Sequence, residues 1–448
     1  MTATEKIKQV LNALSAGDIS AIPLYHGLPD RDRLSVLRSL DSKQLARITD
    51  LIKNSRDAVF RESEIRFLDI ASSPVRTPAY LIDERLIEEN MRILRYVKDR
   101  TGCRVLHALK AYASFATFGV MVPYLDGVCA SGLYEARLGR EEFGKEVHTF
   151  GAAYKENEIR GILKYSDCVI FNSFHQMGLY AGKARNMGRS TGIRVNPGYS
   201  EIETSMYNPC APCSRLGVLH DIFVQEFPAH AHEIDGLHFH AMCEQNSDVL
   251  ERILESFEGL YRPYLKGLAW VNFGGGHHIT RPDYDIEKLI ALINRFQSTY
   301  GVRVYLEPGE ASVYHSGILI STVLDIVKND IDIAILDTSS EAHMPDVLLM
   351  PYRPHIIGSA EPGAGVKKYT FRLAGPSCLA GDVVGDYSFD VPLKRGDRLV
   401  FTDMALYSIV KNTTFNGIGL PDIAVIRKDG AINVVKRFGY KDYKNRQS

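Results

Sequence analysis

Apolar runs alternate with amphipathic stretches between about residue 84 and residue 315 of the chain. The segments 132–143, 246–266 and 286–300 carry apolar residues at helical spacing. Eight strand and helix units in series favour an α/β fold of the (β/α)8 barrel type, in which the chemistry lies on the loops after the strands. A doubly wound open sheet is the alternative. The eight predicted strands are 103–109, 127–130, 146–151, 168–172, 192–196, 236–241, 269–273 and 302–307.

After residue 316 the pattern changes to β-rich runs separated by glycine, proline and aspartate. This sequence pattern predicts a second, mainly β domain over residues 317–448, after a barrel that spans residues 74–316. The segment near 78–82 is expected to give this second domain one more strand from the other end of the chain. The other predicted strands of this domain are 318–327, 331–336, 368–373, 397–401 and 423–427.

Residues 1–73 show a third pattern. Leu45, Ile48, Leu51 and Ile52 fall on one helical face, and Asp41 is placed as an N-cap. We therefore expect residues 1–73 to form a small helical extension. Nothing in its sequence indicates a function.

Composition narrows the classes of function. The 448 residues are 45% hydrophobic and 24% charged, with 53 basic against 54 acidic residues. This balance leaves no excess of positive charge for binding nucleic acid. No apolar stretch reaches the roughly 18 residues that are needed to span a membrane. The polar start lacks the apolar core of a signal peptide, and the seven cysteines are scattered, which predicts a cytoplasmic location. These features favour an enzyme that acts on small molecules.

Lys110 ends the first predicted barrel strand. A primary amine at that point can form a Schiff base with an aldehyde cofactor such as pyridoxal phosphate. A solvated charge that closes a strand is the alternative interpretation of this lysine.

Gly274, Gly275 and Gly276 follow the seventh predicted barrel strand. Glycines allow backbone amides to approach a phosphate closely, and barrels commonly hold phosphates on the loops after strands seven and eight. Glu307 closes the eighth strand two residues before Gly309, so its carboxylate is expected to face a pyridine nitrogen and keep it protonated. A flexible turn and a surface turn are the respective alternatives.

His238 and His240 are predicted on one face of the sixth barrel strand, where one of them can stack on a planar cofactor. A hydrogen-bonded core histidine is the alternative for either residue. Arg194 lies on an otherwise apolar strand, so its charge needs a partner such as a ring oxygen or a phosphate.

Cys210 and Cys213 have the spacing of a zinc or redox pair. A zinc site needs two further ligands, and a redox pair normally opens a helix. Pro209 and Pro212 predict an irregular loop instead, so no metal is expected.

Ten short motifs between about residues 76 and 430 resemble those of the fold-type III pyridoxal-phosphate enzymes, which share the fold of alanine racemase. Within that group the chain is similar to the carboxynorspermidine (carboxyspermidine) decarboxylases, relatives of ornithine and diaminopimelate decarboxylases. The motifs are 108–110, 207–212, 214–217, 238–240, 273–278, 307–311, 344–348, 350–354, 375–382 and 413–417.

The resemblance implies a head-to-tail homodimer in which the second domain of one subunit completes the barrel site of the other. It implies that Lys110 forms the Schiff base with pyridoxal phosphate, that His240 stacks on the ring and that Glu307 faces the pyridine nitrogen. It also places Arg194 near the ring hydroxyl. The phosphate is expected to meet Gly274, Gly275, Gly276, Gly309 and Tyr407.

Cys378 matches the family cysteine that the partner subunit delivers to the site. The resemblance implies that CO2 leaves with its bonding electrons spread into the cationic ring, and that Cys378 then returns a proton to the α-carbon. A thiol is mostly protonated at neutral pH, which suits this role. A small buried apolar side chain is the alternative interpretation of Cys378.

The expected reaction converts carboxynorspermidine or carboxyspermidine to norspermidine or spermidine, with carboxylates holding the remote amines. Glu310, Asp346 and Asp382 are the candidates, although each could be a solvated loop charge. Glu310 stands where ornithine and diaminopimelate decarboxylases usually carry arginine, which suits a polyamine better than a diacid. The alternatives are a decarboxylase of ornithine, lysine, diaminopimelate or a conjugate, an amino-acid racemase, and a regulator without catalysis.

Overall fold

A computed structural model describes residues 3–71 and 75–448, so the expected boundary between residues 73 and 74 lies outside the described residues. The chain divides into two compact units. The barrel unit contains the residues up to Asp57, Glu89–Lys110 and Phe118–Ser312. The sheet unit contains the described residues of Ala58–Glu88, together with Ala111–Thr117 and Val313–Ser448.

The described residues form sixteen strands. They are β1 Ala79–Asp83, β2 Arg104–Ala108, β3 Gly127–Ala130, β4 Glu146–Phe150, β5 Cys168–Phe171, β6 Ser190–Arg194, β7 Gly236–His238, β8 Trp270–Asn272, β9 Arg303–Leu306, β10 Gly317–Asn329, β11 Ile331–Leu336, β12 Tyr369–Ala374, β13 Val383–Phe389, β14 Arg398–Thr402, β15 Asp422–Ile426 and β16 Ile432–Lys436.

The described residues also form seventeen α-helices, none of which is long and apolar enough to cross a lipid bilayer. They are α1 Ala3–Ala16, α2 Ala21–His26, α3 Asp30–Arg38, α4 Ser42–Ala71, α5 Glu84–Thr101, α6 Phe118–Met121, α7 Leu133–Leu138, α8 Glu156–Tyr165, α9 Phe174–Asn186, α10 His220–His230, α11 Ser247–Leu265, α12 Ile286–Tyr300, α13 Glu310–Val313, α14 Ser340–His343, α15 Asp346–Leu349, α16 Ser408–Lys411 and α17 Tyr440–Lys444.

Strands β2 to β9 close into a parallel eight-stranded barrel, which confirms the predicted (β/α)8 fold over the open sheet. Each predicted strand overlaps an observed one. The largest difference is at β7, which ends at His238 instead of residue 241. His240 therefore lies in the loop after the strand, and the alternation of a strand does not determine where its side chain points.

The barrel helices begin and end where the sequence offers capping groups. The Asn246 side chain accepts a hydrogen bond from the Ser247 amide before α11, and the Asp285 side chain accepts one from the Lys288 amide before α12. Gly301 ends α12 in the left-handed region at φ 70°. Such caps satisfy backbone groups that the helix itself leaves unpaired.

Trp270 on β8 fills part of the barrel interior. It packs in a buried cluster with Leu106, Ile170 and Tyr305, and its ring nitrogen donates to the Ser190 hydroxyl at 3.1 Å. The indole ring lies directly against the backbone of two neighbouring strands, at Gly192 and Gly236. A Cβ atom at Gly236 would overlap the ring, so this position requires glycine.

The sheet unit has the strand order β13-β12-β11-β10-β1-β15-β16, with β14 paired to β10. Strand β1 pairs antiparallel with β10 and parallel with β15, which confirms that the segment near 78–82 joins this sheet. Tyr80 packs into the core on one face, and Leu81 packs into the core on the other. Burial on both faces explains why β1 reads as a continuous apolar run.

Two strands of this sheet were not predicted from the sequence. Gly385 and Asp386 interrupt the apolar run of β13, and β16 is an edge strand that is mostly exposed. Exposed edge strands need few apolar residues, so hydrophobic periodicity does not reveal them.

The predicted helices at the start of the chain are present, and those up to Asp57 pack in the barrel unit. Arg33 of α3 is only 5% exposed, and its Nε lies 2.9 Å from the Asp99 carboxylate of α5. The Tyr96 hydroxyl of α5 donates to the Leu45 carbonyl of α4 at 3.0 Å. These contacts join residues far apart in sequence, which a helical pattern alone does not show.

The predicted start of α4 is confirmed by a reciprocal pair of hydrogen bonds. The Gln44 amide donates to the Asp41 carboxylate at 2.8 Å, and the Asp41 amide donates to the Gln44 side chain at 2.9 Å. Ile48 and Ile52 are each 1% exposed on the inner face. The arrangement is a capping box followed by an amphipathic helix.

The tight packing of Trp270 generates a prediction about stability. We expect Gly236→Ala to lower the free energy of unfolding by about 3 kcal/mol or more, because the new methyl group must displace the indole ring. Gly259→Ala is the matched control, since Gly259 lies within α11 with open space around it and should gain roughly 0.5–1 kcal/mol. Denaturant unfolding measures both changes. Equal stabilities of the two variants would contradict this account of the barrel core.

Candidate active site

All eight barrel strands are parallel, so their carboxyl ends lie at the same rim of the barrel. The predicted barrel residues lie at or just after the ends of five of these strands. Lys110 lies two residues after β2, Arg194 ends β6, His240 lies two residues after β7, Gly274 lies two residues after β8, and Glu307 directly follows β9. The parallel topology thus brings together residues that are up to 197 positions apart, from Lys110 to Glu307.

The backbone before Lys110 is held by neighbouring strands. The Ala108 amide donates to the Pro308 carbonyl at 3.1 Å, and the Leu109 amide donates to the Cys129 carbonyl at 3.1 Å. Leu109 is fully buried, whereas Lys110 is exposed within this chain. The amine of Lys110 is therefore presented at the rim instead of being packed into the core.

His240 is fixed by the loop after β8. Its Nδ1 atom accepts a hydrogen bond from the Gly275 amide at 2.8 Å, and its carbonyl accepts one from Arg194 at 3.2 Å. Burial lowers the pKa of His240 well below its usual range, and the nearby charges of Lys110 and Arg194 lower it further. The ring is therefore neutral near pH 7, with Nδ1 as the acceptor and Nε2 carrying the proton.

The glycine loop approaches its neighbours too closely for side chains. Gly274 and Gly276 have φ angles of 72° and 83°, and a Cβ atom at Gly275 would collide with the Glu307 carbonyl. The Gly274 amide donates to Asn272 at 2.8 Å, and the Gly275 amide donates to His240. Within the described residues the Gly276 amide has no acceptor, so of these three amides only it is available for a phosphate.

This hydrogen bonding determines which amides of the loop are available to a phosphate. Gly274 and Gly275 were expected to meet the phosphate, but their amides already hold Asn272 and His240. Their lack of side chains allows the loop to pack directly against Phe239, His240 and the Glu307 carbonyl. Gly309 directly precedes α13, which begins at Glu310.

Glu307 is buried and held by two side chains. Asn272 donates to Oε1 at 2.7 Å, and His238 Nε2 lies 3.4 Å from Oε2. Burial alone would raise the pKa of Glu307, but the interactions with His238 and Asn272 outweigh it and lower the pKa to about 2. The carboxylate is therefore ionised at neutral pH and can stabilise a protonated ring nitrogen.

Arg194 is a buried cation without a full set of partners. It is 5% exposed, its guanidinium lies 4.6 Å from the centre of the Phe150 ring, and its Nε atom has no hydrogen-bond partner among the described residues. Burial lowers the pKa of Arg194 to about 10. An anionic oxygen at this position, such as a ring oxygen of pyridoxal phosphate, would satisfy the free donor. The residues present therefore fit that cofactor.

Glu310 belongs to a cluster whose other members the sequence did not single out. His278 Nε2 lies 2.8 Å from the Glu310 carboxylate, and the ligand atoms of Glu244, His278 and Glu310 all lie within 4.8 Å of one another. The charge of Glu310, followed by burial, raises the pKa of Glu244 to about 7. Two carboxylates at this spacing attract a proton or another cation.

The remaining predicted residues lie in the sheet unit. The Tyr407 amide donates to the Ala111 carbonyl at 2.7 Å, and Tyr407 has a φ of 54°, in the left-handed region that favours glycine. Cys378 is an exposed free thiol, and its amide donates to the Asn416 side chain at 2.7 Å. Its exposure does not support the alternative interpretation of Cys378 as a small buried apolar residue.

Asp346 and Asp382 already have partners within the sheet unit. Lys411 forms an ion pair with Asp346. Asp382 is 2% exposed and accepts hydrogen bonds from the Ser339 hydroxyl at 2.9 Å and the Ser340 amide at 2.7 Å. The geometry gives Asp382 a structural role in place of the amine contact that was expected, because a buried carboxylate with internal donors is not available to a ligand.

The sequence of the chain matches a family of known enzymes. Residues 79–405 match the family model described as pyridoxal-dependent decarboxylase, C-terminal sheet domain. A carboxynorspermidine/carboxyspermidine decarboxylase of Campylobacter jejuni is 43% identical over 378 residues, which cover 82% of this chain and 98% of the relative. A carboxyaminopropylagmatine decarboxylase of Synechocystis is 40% identical, over 84% of this chain and 96% of the relative.

A solved structure agrees with these relatives. The crystal structure of carboxynorspermidine decarboxylase complexed with norspermidine from Campylobacter jejuni superimposes with a TM-score of 0.78. It is 41% identical and covers 83% of this chain and 100% of that chain.

The raised pKa of Glu244 should make the stability of the folded protein depend on pH. Between its unfolded value of about 4.3 and its folded value of about 7, the folded protein binds more protons, so its stability falls as the pH rises through this window. We expect Glu244→Gln to raise the free energy of unfolding at pH 8 by about 1 kcal/mol or less, since solvent screens this exposed group. At pH 4 the variant should gain nothing. Thermal unfolding at the two pH values measures the effect.

The control for this measurement is Glu255→Gln, which neutralises an exposed glutamate of α11 that lies outside the cluster. Its effect on stability should be the same at both pH values. A Glu244→Gln effect that does not change with pH would contradict the coupling between Glu244 and Glu310.

Proposed function

The chain belongs to the family of pyridoxal-dependent decarboxylases, and on that premise we propose that it converts carboxynorspermidine or carboxyspermidine to norspermidine or spermidine and CO2. The observation that carries this substrate class is the pair of carboxylates at the barrel rim, Glu244 and Glu310. An anionic pair suits the remote ammonium group of a polyamine. The names of the 43% identical relative and of the norspermidine complex support the same class.

Pyridoxal phosphate, when bound, draws the electron pair of the breaking carbon–carboxylate bond into its cationic ring. We propose that the amine of Lys110 would hold the aldehyde carbon of the cofactor. Glu307, which is ionised at neutral pH, would face the ring nitrogen and keep it protonated. The buried carboxylate therefore strengthens the electron sink without donating a proton of its own.

Arg194 and His240 are proposed to position the cofactor ring. The free Nε donor of Arg194 would bind the ring hydroxyl, and the neutral imidazole of His240 would stack on the ring without adding a second cation. Gly276 would donate its amide to the phosphate, and Gly274, Gly275 and Gly309 are proposed to lie beside it. Tyr407 is proposed as a further donor to the phosphate.

Cys378 is proposed to return the proton to the α-carbon after CO2 has left. It is an exposed thiol whose backbone is held by Asn416, which suits a residue delivered to a site across a subunit interface. We propose a head-to-tail homodimer in which Cys378 of one subunit completes the barrel site of its partner.

The cluster at Glu310 is proposed to bind the far ammonium of the substrate. The pKa of Glu244 is raised because two carboxylates lie together, and an ammonium between them would remove that repulsion. His278 donates from Nε2 to one carboxylate oxygen of Glu310 at 2.8 Å and fixes its position. Asp346 is held by Lys411, so it would contribute only if that ion pair opened.

A second substrate is favoured by one comparison. The carboxyaminopropylagmatine decarboxylase at 40% identity implies a substrate with a guanidinium group at the far end. A carboxylate pair can bind a guanidinium through parallel hydrogen bonds as well as it binds an ammonium. Direct assay of both substrate types therefore decides between them.

We also propose that the enzyme works in the cytoplasm. All seven cysteines lie in the described residues and are free thiols, including the exposed Cys213 and Cys378. Free exposed thiols persist in a reducing compartment.

A CO2-release assay of the holoenzyme tests the proposed reaction. The substrates are carboxynorspermidine, carboxyspermidine, carboxyaminopropylagmatine, ornithine, lysine and diaminopimelate. We expect kcat/KM for the two carboxylated triamines to exceed the values for the three amino acids by at least about tenfold, because only the triamines fill the carboxylate cluster. Lys110→Arg serves as the blank, since it keeps the charge but cannot hold the aldehyde. Equal or faster turnover of diaminopimelate or ornithine would reject the assignment.

Mixing two inactive variants tests the shared sites. Dimers of Lys110→Ala and of Cys378→Ala should each be nearly inactive, whereas a heterodimer should contain one site with both wild-type residues. An equal mixture should therefore regain about a quarter of the wild-type activity. Native mass spectrometry of size-tagged subunits verifies the exchange. Complete exchange without recovery of activity would show that Lys110 and Cys378 of the same subunit act together.

A further inference from the structure

The barrel unit contains an open cavity of about 780 Å3 that the proposed reaction does not use. Arg104 and Arg303 of its lining are the first residues of β2 and β9, and Asp126 and Lys145 directly precede β3 and β4. These positions lie at the amino ends of the barrel strands. The cavity is therefore at the opposite end of the barrel from the rim that carries Lys110 and Glu307.

The lining is strongly cationic. It contains seven basic and three acidic side chains, a net charge of +4 in a chain whose total charge is −1. Asp126 lies 2.9 Å from Lys98 and 2.7 Å from Arg104, and Asp99 lies 2.9 Å from Arg95. Each of the three aspartates therefore already forms ion pairs with two basic side chains. Part of the positive charge of the lining has no carboxylate partner.

Three cations of the lining have no carboxylate partner among the described residues. Arg38 and Arg303 form no ion pair, and Lys145 donates only to the carbonyls of Val122 and Leu125. Burial lowers the pKa of Lys145, and the charge of Lys98 lowers it further. A bound anion would offset this repulsion between like charges.

The first helices of the chain build one wall of the cavity. Helix α3 contributes Leu34, Leu37 and Arg38, and its buried Arg33 anchors it to Asp99 of α5. This helix precedes residues 79–405, the part of the chain that the decarboxylase family model matches. The helical extension thus supplies one wall of the cavity, and the matched barrel supplies the rest of the lining.

We propose that this cavity binds a small molecule that carries at least two phosphate groups. Its volume lies within the range of about 300–1,000 Å3 that is usual for small-molecule sites. Arginine side chains bind phosphate oxygens in pairs, and Leu34, Leu37 and Leu125 offer an apolar surface for the rest of such a ligand. The ligand would join α3 to the barrel and thereby stabilise the barrel unit.

Isothermal titration calorimetry on the holoenzyme tests this proposal without using activity. Saturation with pyridoxal phosphate fills the active-site phosphate position before pyrophosphate or ATP is titrated. We expect both probes to bind with one site per chain, and to raise the melting temperature by roughly 3–6 °C at about a hundredfold excess over the dissociation constant. Inorganic phosphate and a 20-nucleotide single strand of DNA are titrated for comparison.

The double variant Arg38→Gln/Arg303→Gln removes two exposed cations that have no carboxylate partner. It should weaken binding of pyrophosphate and ATP at least about tenfold. The matched control is Arg31→Gln/Arg262→Gln, which makes the same change in charge at exposed positions outside the cavity and should bind as the wild type does. Circular dichroism confirms that all variants are folded.

Three results would overturn the proposal. One is the absence of binding by both pyrophosphate and ATP at millimolar concentration. Another is an equal loss of binding in the two double variants, which would indicate nonspecific attraction. The third is tighter binding of the DNA strand than of either small probe, which would assign this surface to nucleic acid. Because the readouts are heat and melting temperature, none of them depends on the identity of the decarboxylation substrate.

Discussion

The buried carboxylate of Glu307 is the electrostatic constraint on which the barrel rim depends. Burial lowers the pKa of Arg194, and the charge of Glu307 partly offsets that effect. The oxygens of Glu307 hold the side chains of Asn272 and His238. A buried anion is tolerated only when it is paired and hydrogen-bonded. The sequence therefore places polar residues at the ends of β6, β7 and β8, where an ordinary barrel core would carry apolar ones.

The backbone of Glu307 also contacts the glycine loop at the barrel rim. The Glu307 amide donates to the Gly274 carbonyl at 2.8 Å, and its carbonyl lies so close to Gly275 that no side chain fits there. Gly275 in turn fixes Nδ1 of His240. The positions of the carboxylate, the glycine loop and the imidazole are thus determined together by the pairing of β7, β8 and β9. A change in the register of any of these strands would move all three groups.

The sequence predicted what depends on local pattern and missed what depends on contacts across space. Strand positions, the capping box at Asp41 and the residues that follow the barrel strands could be predicted, because each leaves a periodic or motif-level signal. The end of β7 could not, since Phe239 and Ala241 are buried in the loop as they would be in a strand. Glu244 was missed because its proximity to Glu310 exists only after the barrel closes.

The distribution of charge over the barrel explains why composition says little about binding. The net charge of the chain is only −1, yet an anionic cluster lies at the carboxyl end of the barrel strands and a cationic cavity lies at their amino end. Parallel strands make this separation possible, because residues before and after each strand always lie at opposite ends. Helix α3 of the extension lines the cavity at the end that carries no catalytic groups. An extension can therefore create a new binding surface there without disturbing the geometry around Lys110.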